Sequence, residues 1–124
     1  MHYRIIILAI VLLLSYHKVQ AQEQTPYTRI ARITVDSGQL DTYLSFLKEG
    51  IETAVKKEPG VLSMHAVADK AHPQRITIME TYASKTAYDQ HIQTAHFQKY
   101  KQGTLSMVKS LELTDVVPII HIIK

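Results

Sequence analysis

The chain contains no cysteine and no tryptophan, and only four glycines and four prolines in 124 residues. Without cysteine there can be no disulfide framework, thiolate metal site, cysteine nucleophile or lipidated N-terminal cysteine. A small exported domain lacking disulfides must gain its stability from packing or from oligomerisation. Charge of one sign is also scarce. The formal net charge is +3, and no basic stripe interleaved with aromatics is present, which argues against nucleic-acid binding. There is neither an internal repeat nor a low-complexity segment.

The one long apolar run is N-terminal. Arg4 precedes an unbroken run from Ile5 to Leu14, and Ser15-Tyr16-His17-Lys18 breaks it. Val19-Gln20-Ala21 then offers a signal-peptidase site. Ten apolar residues are too few to span a bilayer, which takes about 20. Residues 1–21 therefore read as a cleaved signal peptide rather than an anchor. Residues 22–26 follow as a linker, and 27–124 form one domain in a periplasmic or secreted protein. Cleavage removes two basic residues, Arg4 and Lys18, and no acidic one, so the net charge falls from +3 to +1.

The rest of the chain is an alternation of strand and helix patterns. Tyr27 to Val35 is β-branched and alternating, which predicts a strand. Asp36-Ser37-Gly38 is a turn with capping side chains. From Gln39 to Lys57, Leu40, Tyr43, Leu44, Leu47, Ile51, Ala54 and Val55 recur at three- and four-residue steps and predict an amphipathic helix. Glu58-Pro59-Gly60 stops it. Val61 to Ala68 and Arg75 to Tyr82 predict a hairpin across the polar loop 69–74. Ser84 and Thr94 are plausible N-caps for two helices, about 85–92 and 95–109, the second presenting Phe97, Tyr100, Thr104, Met107 and Leu111. Residues 112–123 predict a last strand, with Pro118 marking an edge or bulge. The order β-α-β-β-α-β is α+β, the ferredoxin-like arrangement of an antiparallel sheet with helices on one face. The other face needs a cover, which a second copy would supply. Ile33, Val35, Met79 and Ile119 or Ile120 are candidates to populate that face.

The chemistry-bearing residues lie in one stretch, 80–97. Tyr88 and His91 share a helix face. His91 is therefore either a base near a phenol or a structural histidine bonded to Glu80 or to a backbone carbonyl. His96 sits in the first turn after the Thr94 cap, where the helix dipole disfavours imidazolium. Glu80 lies in an otherwise apolar row with Ile76, Ile78 and Tyr82. It would orient a histidine, hold a substrate hydroxyl or accept from the amides at 84–86. Tyr82 and Tyr100 fit an aromatic pocket wall, and Phe97 core packing. His91 and His96 are five apart, about 140° around an ideal helix, and no third ligand is evident, so a metal site is not expected.

Glu58-Pro59-Gly60, Glu80-Thr81-Tyr82, His91-Ile92-Gln93-Thr94-Ala95-His96-Phe97 and Leu113-Thr114-Asp115-Val116-Val117-Pro118, in this order, resemble the antibiotic biosynthesis monooxygenase (ABM) family. The resemblance spans nearly all of the chain after residue 21. It implies a homodimer whose two sheets close into a barrel, with a pocket between sheet and helices in each subunit. It also implies oxidation of quinols, anthrones or similar phenols by O2 without metal, flavin or haem. Carried onto this chain, His91 and His96 become the candidate catalytic bases, and Glu80, Tyr82, Tyr100 and Phe97 the substrate-binding residues. Tyr82 stands where many relatives carry tryptophan. Haem degradation, found in a related branch, needs an asparagine on the first strand and a tryptophan on the third, and both are missing. The alternative is a non-catalytic barrel of the same fold that binds a small aromatic or apolar ligand.

Overall fold

The computed structural model describes residues 25–124. The leader read in residues 1–21, and the start of the linker, lie outside that range. Strand β1 (Tyr27–Val35) leads through a 3-10 turn (Ser37–Gln39) into helix α1 (Leu40–Lys57). Strands β2 (Val61–Ala68) and β3 (Arg75–Tyr82) follow as a hairpin. Helices α2 (Lys85–His91) and α3 (Ala95–Thr104) then lead to strand β4 (Val108–Val116). The sheet is antiparallel in the order β2-β3-β1-β4, as expected for a ferredoxin-like α+β fold.

Local signals account for each boundary. Asp36 Oδ1 accepts from the Gly38 amide at 3.0 Å and closes the turn into α1. Glu58 is the C-cap of α1, with its amide on the Ala54 carbonyl. Asp69 Oδ1 accepts from the Ala71 and His72 amides and shapes the hairpin loop. Ser84 Oγ accepts from the Ala87 amide, and Thr94 Oγ1 from the Phe97 amide, so both expected N-caps form.

Two expectations fail near the C-terminus. Helix α3 ends at Thr104, not near Lys109, and β4 covers 108–116 rather than 112–123. Met107 and Leu111 were spaced as if on a helix face. Met107 instead sits in the turn, its amide on the Thr104 carbonyl and its own carbonyl taken by Asp36. Leu111 pairs with Ile33 across the sheet. A β1–β4 ladder running from Thr28 to Val35, with one register shift at Thr34/Val35, outweighs the helical spacing of these few apolar residues. Pro118 falls beyond the strand end, since it has no amide to give to a ladder. Val117, Ile119, Ile120, Ile122 and Ile123 are exposed.

The assignment of sheet faces also changes. Ile33 and Val35 are buried in the main core with Ala31, Tyr43, Leu47, Ile76, Ile78 and Met107, so they face the helices. By the two-residue alternation, Ile30, Arg32, Thr34 and Met79 lie on the opposite face, and Met79 is exposed there. Ile119 and Ile120 belong to neither face, being outside the strands. On α1 the expected stripe holds except at Val55, which is exposed. A second, smaller cluster of Ala54, Val61 and Tyr82 packs with Tyr27, Met64, Ala87 and Tyr88 under α2.

At Gly60 the chain before β2 lies close against α2. A Cβ on Gly60 would lie 2.7 Å from the Ala87 Cβ. Ala87 has no longer side chain to swing aside, so its helix must move. Gly60→Ala is expected to cost about 1–3 kcal/mol, read as a lower midpoint in chemical denaturation. A wild-type midpoint would show that α2 shifts freely.

Candidate active site

A cavity of about 380 Å³ opens between the helices and the sheet. Strand β1 contributes Arg29, Ala31 and Ile33, β3 contributes Ile78, Glu80 and Tyr82, and the edge strand β4 contributes Leu111 and Leu113. Helix α1 supplies Leu47, Gly50 and Ile51, and α2 and α3 close it with Tyr88, His91, Phe97 and Tyr100. The wall is apolar except for a few convergent groups: Arg29, Glu80, Gln98, Lys101, His91 and the tyrosines. Apolar concavities with few polar contacts are the usual form of small-molecule sites.

Of the six residues singled out in the sequence, Glu80, Tyr82, His91, Phe97 and Tyr100 line this cavity. His96 does not, but it is tied to His91 through a residue that the sequence reading treated as part of a helix stop and of a family segment, not as a site residue. Glu58 Oε2 lies 2.8 Å from His91 Nδ1 and 2.6 Å from His96 Nε2. The break at Thr94 explains how histidines five apart can meet. The Thr94 hydroxyl donates to the His91 carbonyl and accepts from the Phe97 amide, which turns the chain between α2 and α3. The ring centroids end 6.3 Å apart. The missed signal was Glu58 itself, an acidic group fixed by the following Pro-Gly at the end of α1.

The shared carboxylate settles proton positions. A carboxylate only accepts, so His91 must carry its proton on Nδ1 and His96 on Nε2. His91 is 6 % exposed and is clamped by the Tyr82 and Phe97 rings, at 5.4 and 5.1 Å between centroids. Its Nε2 is then the nitrogen left to take a proton.

Glu80 is not the partner of His91, and it does not cap α2. It accepts from the Tyr82 hydroxyl at 2.9 Å. Burial holds its carboxyl above the usual carboxylate range, against the opposing pull of the Tyr82 hydrogen bond, His91 and Arg29. Tyr82 is completely buried, and desolvation, then the charge of Glu80, pushes its phenol up. Tyr82 is therefore wall and anchor. The Tyr100 hydroxyl sits 2.6 Å from that of Tyr43, and burial raises both phenols. Arg29 donates to the Tyr88 hydroxyl at 2.6 Å and to Asp115 at 2.9 Å, and its guanidinium lies 4.5 Å from the Tyr88 ring centroid. Tyr27 donates to the same Asp115 oxygen. Burial and that bond push its phenol up to about 12. Among the described residues, every buried side-chain polar atom has a hydrogen-bond partner.

These features define a class: a ferredoxin-like sheet with a side cavity, and a carboxylate-buttressed histidine in its wall. The sequence profile of the family described as antibiotic biosynthesis monooxygenase matches residues 26–103, and the chain belongs to that family. A comparison with curated proteins gives no match. Among solved structures, a protein from Bacteroides thetaiotaomicron proposed to be an antibiotic biosynthesis monooxygenase is 47% identical. That alignment covers 82% of this chain and 97% of the other, with a TM-score of 0.78. A proposed monooxygenase from Lactobacillus acidophilus is 26% identical over 76% of this chain and 45% of its own, with a TM-score of 0.74. A structure from Nitrosomonas europaea, at 16% identity, covers 76% of this chain and 90% of its own, with a TM-score of 0.71. This last likeness speaks for the fold alone.

Because the folded pKa of Glu80 is raised, its contribution to stability is fully present below the unfolded glutamate value, about 4.3. It is lost as pH rises through the folded value. Glu80→Gln keeps an acceptor for Tyr82 but cannot ionise. Its stability relative to wild type should therefore be greater near neutral pH than at about pH 4, measured by denaturation at both. A pH-independent difference would show that Glu80 ionises in the fold without penalty.

Proposed function

We propose that the protein is a cofactor-independent monooxygenase that oxidises an electron-rich phenol, quinol or anthrone with O2. The observation that carries this is the Glu58–His91 pair in the wall of an apolar cavity. Glu58 fixes the His91 tautomer and would stabilise its imidazolium, and Nε2 takes the acidic proton of the substrate. The substrate anion is the reductant. It passes an electron to O2, the two radicals combine into a C–O bond, and the hydroperoxide loses water. An anthrone-type CH2 thereby becomes C=O, with one oxygen atom kept and the other leaving as water. His96 shares Glu58 and holds it in place, and so acts through His91. Arg29 provides positive charge beside the developing anion. Tyr82, Phe97 and Tyr100 give the ring a flat apolar wall.

We further propose that the protein is a homodimer and works outside the cytoplasm. Support for the dimer comes from the face bearing Ile30 and Met79, and from the exposed leucines of edge strand β4. Export rests on the leader-like sequence of residues 1–21.

Oxygen uptake on a panel of hydroquinones and anthrones tests the enzyme reading. Uptake above the autoxidation rate is expected. It should fall by about 10²–10⁴-fold in His91→Ala, the usual range for a general base, and by a smaller factor in Glu58→Gln. If no substrate is consumed but aromatic ligands quench the tyrosine fluorescence, the barrel is a binding module instead.

A further inference from the structure

We propose that Glu58, His91 and His96 form a three-ligand site for a divalent transition-metal ion of the zinc class. The sequence argued against such a site, because the two histidines are badly spaced on one helix and lacked a third ligand. The fold removes both objections. The histidines belong to different helices, and the C-cap of α1 delivers the carboxylate between them. The donor atoms, His91 Nδ1, His96 Nε2 and a Glu58 oxygen, all lie within 4.8 Å of one another.

The donor set selects the ion. Two imidazoles and one carboxylate suit zinc, cobalt or iron, whereas calcium and magnesium favour all-oxygen sites. Three protein ligands leave a fourth position for water, the pattern of reactive rather than closed zinc sites. Ligand bonds of about 2.1 Å at tetrahedral angles separate donors by about 3.4 Å. The two hydrogen-bonded contacts are 2.8 and 2.6 Å, so Glu58 must draw back by about 0.7 Å. Both contacts fall on Oε2, and the two ring nitrogens, which lie within 4.8 Å of each other, must settle at the same donor separation of about 3.4 Å. The three side chains are only 7, 15 and 19 % exposed, for His91, Glu58 and His96 in turn. An ion here is sheltered from bulk water yet accessible.

Binding moves protons within the rings. Each imidazole now points an N–H at Glu58. To offer that nitrogen's lone pair to a metal, it must carry its hydrogen on the other nitrogen. His91 would then present Nε2–H, so it cannot act as a base while the metal is held. The metal site itself does not rest on the oxygenase reading, and binding is read without turnover.

The test is titration of the chelator-stripped protein with Co2+ and then Zn2+. One equivalent of Co2+ should give a ligand-field band of low coordination number, which zinc abolishes, and zinc should raise the melting temperature. Glu58→Gln and His96→Gln, confirmed folded by circular dichroism, should each weaken binding by at least the ~10-fold that even an outer-shell partner is worth. His65 pairs with Met79 on the sheet face opposite the cluster, and His65→Ala should bind as wild type. Ring-nitrogen NMR of the unaltered protein provides a readout that does not depend on variants: zinc should shift His91 Nδ1 and His96 Nε2. The proposal is overturned if there is no band and no melting shift, if affinity is unchanged in both cluster variants or lost in His65→Ala, or if zinc perturbs other histidines instead.

Discussion

The Glu58 carboxylate joins three helices through one oxygen. It sits at the end of α1, takes a hydrogen bond from the last residue of α2, and takes another from the first turn of α3. Neither α2, at seven residues, nor α3, at ten, is long enough to be stable by itself, since isolated helices shorter than ~12–15 residues are marginal in water. Their mutual placement therefore depends on tertiary contacts, and this one ties all three helices together through largely sheltered side chains. Losing the carboxylate would leave two ring N–H groups without an acceptor in a partly buried place, a penalty of about 1–3 kcal/mol for each unsatisfied group. The cavity walls made by Tyr88, His91, Phe97 and Tyr100 are carried by the helices this contact positions.

Much of the fold was legible because the local signals agreed. The alternation in 27–35, the stripe in 40–54, the Pro-Gly stop and the caps at Ser84 and Thr94 each have a direct physical reading. The legibility failed where a few apolar residues fitted two periods. Thr104, Met107 and Leu111 satisfy helical spacing, but Leu111 and Leu113 also satisfy strand alternation, and pairing with β1 decided the matter. The faces of β1 were ambiguous for a similar reason. Ile30 and Ile33 lie on opposite sides, and only the position of α1 shows which side is the core.

The candidate site was legible in its members but not in its wiring. Glu80, Tyr82, His91, Phe97 and Tyr100 share one cavity because β3, α2 and α3 follow one another in the chain. The role of Glu58 could not be read that way, since a sequence separation of 33 from His91 conceals their contact. Its place in the Glu-Pro-Gly segment suggested a helix terminator, and it is one. The same backbone position that ends α1 is what aims the side chain at α2. Glu80, which sequence neighbours made the natural partner for a histidine, is instead occupied by Tyr82 two residues along its own strand.

Helix α2 has a kinetic consequence. It is held by a few separate anchors: the Ser84 cap, the packing of Ala87 on Gly60, the bond from Arg29 to Tyr88, and the His91 contact. It also rests on the small cluster of Ala54, Val61 and Tyr82, which is separate from the main core beneath α1, so its detachment would leave that main core in place. Such sub-global opening is cheaper than full unfolding. Because Tyr88 and His91 form part of the cavity wall, each opening also uncovers the cavity. The exchange rates of the α2 amides would thus report how often this wall of the cavity opens, a clock set by one short helix rather than by the stability of the whole domain.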